Sequence, residues 1–530
     1  MSSATLTLDQ DIWKPKYNPW LIAVVVALGA FMEVLDTSIA NVALPYMAGS
    51  LAASNDQSTW VLTSYLVSNA IVLPISGWLA VRFGRKRFFM SCLAIFTVSS
   101  LLCGLAPNLG FLLLFRVLQG AGGGGLQPMA QAILADTFPP HQRGLAFALY
   151  GITAVMAPTI GPTLGGWITF NYSWRWIFYI NVPVGIITWL LVRRFVEDPP
   201  YLKRLRAAGV KLDYIGIALL VIGIGALQIL LDKGQEDDWF GSNFITTLVI
   251  VASVCLILLV VWEWFHKTPI VDVRMFKSFN FASANLMMFM LGISLFSSLV
   301  LMPQFLQTLL GYTSQLAGLA LSAGGLVLLF EMPIMGQLTT KIHARRLIAF
   351  GWLVLSVAMF YSTRRIDLQL SFSAAAWLRI AQVLGLGFLF VPITLAAYVG
   401  IPPEKNNAVS GIVNFMRNMG SSVGTSLVTT LIARRSQFHQ LRLVEQTRID
   451  NPNFANTVQG LTQHFANGGL GRHEASATAY ASIYRSLLAQ AASLAYVDTF
   501  MVLSVCAAIM FCVSFFLKKN DLGGGRTIAE

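Results

Sequence analysis

Fourteen stretches of this chain are each apolar and long enough to cross a bilayer, and nothing else in the sequence restricts the fold so strongly. They lie near 19–41, 58–80, 88–106, 110–135, 145–169, 174–195, 213–231 and 243–264, then near 280–310, 316–339, 347–361, 373–399, 406–433 and 494–517. A crossing helix needs about 20 apolar residues. In hydrocarbon every backbone N–H and C=O must find its partner within the protein, so runs of this length are helices. Only 11% of the 530 residues are charged, against about a quarter in a soluble domain. The expected class is an all-α membrane protein.

An even number of spans puts both termini on one side. Loops and tails on that side hold 23 Lys and Arg, and the short loops opposite hold four: Arg175, Lys233, Arg364 and Arg365. The excess predicts cytoplasmic termini. It also accounts for the net charge of +12 without nucleic acid, for which no site is expected. The five cysteines all fall in apolar runs, without metal-ligand spacing or a disulfide framework. The polar start MSSATLTLDQDIWKPK does not have the form of a cleavable signal peptide. One connection differs from the rest. Residues 434–493 are long and polar, and ASATAYASIYRSLLAQAASLAYVDTF at 475–500 predicts an amphipathic helix that extends the last span outside the membrane.

Six ionisable groups sit well inside spans: Glu33, Asp36, Arg116, Glu331, Arg379 and Arg417. Each costs about 2.5–3.5 kcal/mol on insertion scales, so each should face a bundle interior or a watery cavity. Glu33 and Asp36 are three residues apart, and at 100° per residue they project only about 60° apart. Two buried acids on one face favour a retained proton that water or a cation can release. The alternative is a fixed pairing with an arginine, most simply Arg116. Glu331, Arg379, Arg417 and Gln127 are the candidates for lining a substrate cavity. For Glu331 in LLFEMPIMG, a fixed ion pair with Arg379 or Arg417 is the competing reading.

Three glycine-rich stretches follow. GWLAVRFGRKRFF at 77–89 ends span 2 and fills a tight turn, where Arg82, Arg85, Lys86 and Arg87 can reach helix C-termini or acids as well as anchor the loop. GAGGGG at 120–125 formally matches a dinucleotide motif, but it lies inside an apolar helix and not after a strand, so close helix packing is the better reading. GITAVMAPTIGPTLGGWI at 151–168 places Pro158, Gly161, Pro162, Gly165 and Gly166 in one span. The prolines remove donors and bend the helix, and the glycines give it a thin side. Finally, FRVLQGAGGG at 115–124 is echoed by LRIAQVLGLG at 378–387, as in transporters built from repeated halves.

In this order, LDTSIANVALP at 35–45, GWLAVRFGRK at 77–86, RVLQG at 116–120, APTIGPTLGG at 157–166 and WRWIFYINVP at 174–183 resemble the major facilitator superfamily, in particular its fourteen-span drug:proton antiporters of the EmrB/QacA type. The resemblance covers nearly the whole chain and implies two six-helix bundles plus two extra central helices. The expected division is a tail at 1–18, bundles at 19–196 and 279–517 around a linker with the extra pair at 197–278, and a tail at 518–530. It further implies that Asp36 and Arg116 serve proton coupling, with Glu33 assigned to the same function by the membrane argument alone. Gly77, Arg82, Gly84, Arg85 and Lys86 match the gating motif, and the Pro-Gly run is the antiporter hinge. Val81 stands where the gating motif usually has Asp, so that motif's latch cannot work here in its usual form.

The expected function is proton-driven export of amphipathic compounds across a bacterial inner membrane, with no cofactor and no metal. The partners implied are the substrate, protons, membrane lipid and, through 434–493, an EmrA-like periplasmic adaptor and outer-membrane channel. The alternative is export of one endogenous metabolite such as a siderophore, lipid or amino acid. A non-transporting receptor would leave six intramembrane charges unexplained. An enzyme would need a nucleophile–base pair, and ATP coupling a Walker A run; the sequence offers neither.

Overall fold

The structure, a computed structural model, describes residues 15–202, 213–448 and 450–517. Eight of the 23 Lys and Arg behind the expected orientation lie outside the described residues, at 14, 203, 204, 206, 211, 518, 519 and 526.

Among the described residues the regular structure is entirely helical. Thirteen of the described helices are long and apolar enough to cross a membrane. In chain order the first six are α1 (Pro19–Ser50), α2 (Asp56–Phe83), α3 (Arg85–Leu105), α4 (Leu109–Thr137), α5 (Arg143–Asn171) and α6 (Trp176–Phe195). Next come α7 (Tyr214–Lys233), α8 (Asn243–Phe265), α9 (Phe279–Thr308), α10 (Gln315–Lys341), α11 (Ala344–Arg365) and α12 (Phe372–Tyr398). Helix α13 (Asn406–Val444) and the short α14 (Pro452–Asn467) precede the last crossing helix, α15 (Arg472–Ser514). Helix α13 contains the thirteenth sequence span but is too polar to count as a crossing helix by length and composition alone. Its polar side chains face protein instead of lipid, since it packs on α2, α4, α9 and α15. Helix α15 is continuous from 472, as the sequence predicts for the stretch before span 14.

Local signals set the helix starts. Ser54 and Gln57 form a reciprocal capping box at α2, and Asn18, Asn108, Ser278 and Ser371 cap α1, α4, α9 and α12. Packing then follows the small residues. Cβ atoms at Gly120, Gly122 and Gly124 would fall 2.3 Å from the Tyr65 carbonyl, 2.7 Å from the Phe96 amide and 2.6 Å from the Asn69 carbonyl. The glycine run therefore lets α4 close onto α2 and α3. It also interrupts the helix, which turns at Gly124–Gly125.

Helix α5 runs unbroken through both prolines. Pro162 has no N–H for the carbonyl of Pro158, and that carbonyl accepts a bond from Ser38 Oγ at 3.1 Å. Gly161 and Gly165 make room for this seam: their Cβ atoms would lie 2.3 Å from Ser38 Oγ and 3.0 Å from Ile39 Cγ2. The thin side of α5 thus carries α1. On another side α5 packs along α10, from Thr163 at Gly318 to Gly144 at Thr339.

Candidate proton and substrate site

Helix α1 brings Asp36 and Glu33 against α4, and the two acids have separate partners. Asp36 is 2% exposed. Its Oδ2 accepts from Arg116 Nη1 at 2.7 Å, and its Oδ1 from Gln119 Nε2 at 2.9 Å and Asn181 Nδ2 at 2.7 Å. Arg116 Nε donates to the Val61 carbonyl at 3.0 Å, and the guanidinium lies 4.2 Å from the centroid of the Tyr65 ring. The i, i+3 spacing of Arg116 and Gln119 in RVLQG puts both on one acid, because residues three apart share a helix face. Asn181 arrives from the start of the INVP segment. An ion pair this buried is expensive to break from one side, about 3–5 kcal/mol.

Glu33 accepts from Tyr65 Oη at 3.1 Å, from Asn69 Nδ2 at 2.9 Å and from Gln127 Nε2. Among the described residues no cation pairs with it directly. Gln127 Oε1 in turn accepts from Arg417 Nη2 on α13. One glutamine therefore connects the α1 acid to a buried arginine of the later helices. Around it Tyr150 Oη donates to Asn414 Oδ1 at 2.9 Å, and Asn414 Nδ2 donates to Gln131.

The remaining cavity candidates are not brought together. Both Glu331 oxygens are buried without a hydrogen-bond partner among the described residues, seated where a Cβ on Gly387 would lie 2.2 Å from Glu331 Cδ. Among the described residues no ion pair joins Glu331 to Arg379 or Arg417, so the paired reading of Glu331 is not the arrangement found. Arg379 Nη1 donates to Ser298 Oγ at 2.8 Å, and Arg417 also lies 5.7 Å from the Phe390 ring centroid.

The 77–89 turn forms a second polar centre. Gly84 takes φ 88°, which joins α2 directly to α3. Gly77 lets α2 meet the α13 backbone, where its Cβ would be 3.0 Å from Ala408 Cα. Arg85 Nη1 pairs with Asp136 Oδ2 at 2.6 Å, and Lys86 Nζ caps the Arg193 carbonyl at 2.7 Å. Arg82 sits in the last turn of α2. Tyr201 Oη donates to Asp136 Oδ2 and accepts from Arg85 Nη2. Burial pushes the Tyr201 phenol above its ordinary range, which keeps its proton on the donating oxygen. Asp136 Oδ1 accepts from Asn406 Nδ2 at 2.6 Å, across to α13.

Sequence reasoning did not single out Tyr65, Asn69, Gln119, Asp136, Asn181, Asn406 or Asn414. One of them had a usable signal: Gln119 lies one turn from Arg116.

Comparison with known proteins agrees with this architecture. The chain is 39% identical over 453 residues to the multidrug export protein EmrB of Escherichia coli strain K12, covering 84% of this chain and 88% of that protein. It is 40% identical over 450 residues to the fatty acid resistance protein FarB of Neisseria gonorrhoeae, covering 84% and 87%. Among solved structures, the proton:xylose symporter XylE superposes with a TM-score of 0.61 at 14% identity, over 94% of this chain and 96% of that one. The Major Facilitator Superfamily model matches residues 26–425, and the chain belongs to that superfamily as a multi-pass membrane transporter.

Proposed function

We propose that the protein is a proton-coupled antiporter that exports amphipathic drugs or toxic compounds by alternating access, with Asp36 as the main proton carrier. The observation that carries this reading is the buried Asp36 carboxylate, held by Arg116, Gln119 and Asn181 within one bundle. Protonating Asp36 cancels its attraction to Arg116 and frees α1 and α4 to repack. Deprotonation restores the bond. Carboxylate chemistry thus ties a proton to a packing change. The names of the relatives, multidrug export and fatty acid resistance, support outward transport. A proton moving inward down 100 mV supplies about 2.3 kcal/mol.

In this reading Glu33, Gln127 and Arg417 transmit the state of α1 to α13, and Glu331 and Arg379 lie on the substrate path. The gating residues Gly77, Arg82, Gly84, Arg85 and Lys86 close the terminus side, with Asp136 and Asn406 replacing the latch that Val81 cannot form. Pro158, Gly161, Pro162, Gly165 and Gly166 let α5 move with α1. Bundles at 19–196 and 279–517 work against each other around the linker at 197–278. The protein resides in a bacterial inner membrane with both termini in the cytoplasm, and 434–493 docks an EmrA-like adaptor that leads to an outer-membrane channel.

The test is Asp36→Asn in proteoliposomes with an imposed pH gradient. Folded protein with no gradient-driven export is the expected result. Undiminished, still proton-coupled export by the variant would remove Asp36 from this role.

A further inference from the structure

The Asp36–Arg116 site has a counterpart in the second bundle that lacks its acid. Arg116 and Gln119 on α4 correspond to Arg379 and Gln382 on α12, each pair three residues apart. In the first bundle Arg116 Nη1 meets Asp36 on α1 at 2.7 Å, and Gln119 accepts from Cys103 on α3 at 3.5 Å. In the second, Arg379 Nη1 meets Ser298 on α9 at 2.8 Å, and Gln382 Nε2 donates to Ser362 on α11 at 3.0 Å. Ser298 thus meets Arg379 as Asp36 meets Arg116.

This leaves a guanidinium fully buried with two of its three nitrogens unpartnered among the described residues. Arg379 is 0% exposed, and its Nε and Nη2 have no hydrogen-bond partner among the described residues. Nε–H and the adjacent Nη2–H form one edge of the guanidinium, and two parallel donors on that edge match the two oxygens of a carboxylate. A buried, unpaired arginine is costly, and such groups in membrane spans mark substrate or ion pathways. Glu331 does not fill the site. It rests against Gly387, eight residues beyond Arg379 on α12, a rise of roughly 12 Å.

The cover over Arg379 is thin. A Cβ on Gly324 of α10 would lie 3.0 Å from Arg379 Cγ, and one on the next residue, Gly325, 2.8 Å from Thr159 Cγ2 of α5. One glycine-faced helix therefore separates the arginine from the seam between the bundles.

We propose that Arg379, with Ser298, is a binding site for the carboxylate of amphipathic anionic substrates, reached when α10 withdraws from α5. The proposal deepens the export reading by naming a substrate class, and it rests on that reading only for the transport step. Binding comes from the two-donor edge, and Ser298 leaves the charge uncompensated so that the ligand supplies the balancing carboxylate.

The probe is 1-pyrenebutanoate, with its uncharged amide as the isosteric control and chloride as a competing simple anion. Fluorescence binding to the purified full chain in an uncharged detergent should favour the acid over the amide. Arg379→Gln should weaken acid binding at least about tenfold, the effect of losing a charge-assisted pair, and leave the amide unchanged. Ser298→Asp puts the missing acid inside the protein; it should weaken acid binding similarly while its melting temperature holds or rises. Equal affinity for acid and amide in the unaltered protein, or acid binding untouched by both substitutions, overturns the proposal. Displacement by millimolar chloride as effective as by excess acid also overturns it, in favour of a halide site. Ethidium export driven by a pH gradient is measured in parallel. Its absence removes the export reading, and the binding result still decides the carboxylate site.

Discussion

Asn406→Ala isolates one hydrogen bond between α4 and α13 at the basic turn. Asp136 keeps Arg85 and Tyr201 on one oxygen within the first bundle, and only its other oxygen crosses to Asn406 at 2.6 Å. Removing the Asn406 amide therefore spares the buried ion pair and deletes one hydrogen bond to a charged group. Such a bond contributes about 1.5–3 kcal/mol. If it forms only when this side is closed, its loss shifts the open–closed ratio by about 10- to 150-fold. Spin labels replacing His141 and Lys341, both exposed on the terminus-side ends of the two bundles, report that opening by pulsed dipolar spectroscopy. Cys255, Cys506 and Cys512, the cysteines that are not buried, are first replaced. A longer-distance population should emerge in Asn406→Ala. Arg85→Ala breaks the ion pair within the first bundle, so it should lower the melting temperature more than Asn406→Ala does. An unchanged distance distribution in Asn406→Ala would refute the latch.

Three further outcomes are expected. Gly161→Val should separate α1 from α5 and abolish transport with a clear loss of thermal stability, whereas Gly49→Ala, at the end of α1 with nothing within 4 Å of its Cβ, should melt and transport like the unaltered protein. Glu331→Gln should reduce export of cationic dyes more than of neutral ones and leave the melting temperature unchanged or higher, because the carboxylate has no partner to lose; equal loss for both classes would make its role structural. Deleting residues 440–490 should leave proteoliposome transport intact but end adaptor co-purification and cellular resistance, and retained adaptor binding would exclude docking through this segment.

The helices, and the charges that stand inside them, were legible in the sequence. Asp36 and Arg116 stand out because a charge in an apolar run needs a reason, and the echo of RVLQG in LRIAQ located Arg379 the same way. The neutral half was silent. Asn69, Asn181 and Asn414 are polar, but asparagine in a span has no single meaning until a neighbour faces it. Asp136 carries no such mark, because its partners Arg85 and Asn406 lie 51 and 270 residues away. The character of α13 was also hidden: its polar residues meet other helices, a fact that hydropathy alone does not contain. The pairing of Glu33 with Gln127 depended on how α4 turns at Gly124–Gly125, which the apolar pattern left as one uninterrupted run.

Helix α7 touches both sides of the α2–α13 seam. Thr63 of α2 bonds its Asp232, and Lys233 reaches the Asp56 carbonyl. Toward α13, Gln228 and Ser422 exchange two hydrogen bonds at 2.9 and 3.1 Å, and Trp239, in the loop that follows, donates to Thr430 at 3.2 Å. A helix fastened to both leaves of a door acts as a hasp. Whenever α2 and α13 part at this end, one of the two sets of bonds must let go, and the set with fewer charged groups is the one on α13. In the proposed alternating-access cycle, α7 and the loop after it thus give opening at this end a threshold of its own, set by Gln228 and Trp239 and separate from the proposed proton and substrate residues.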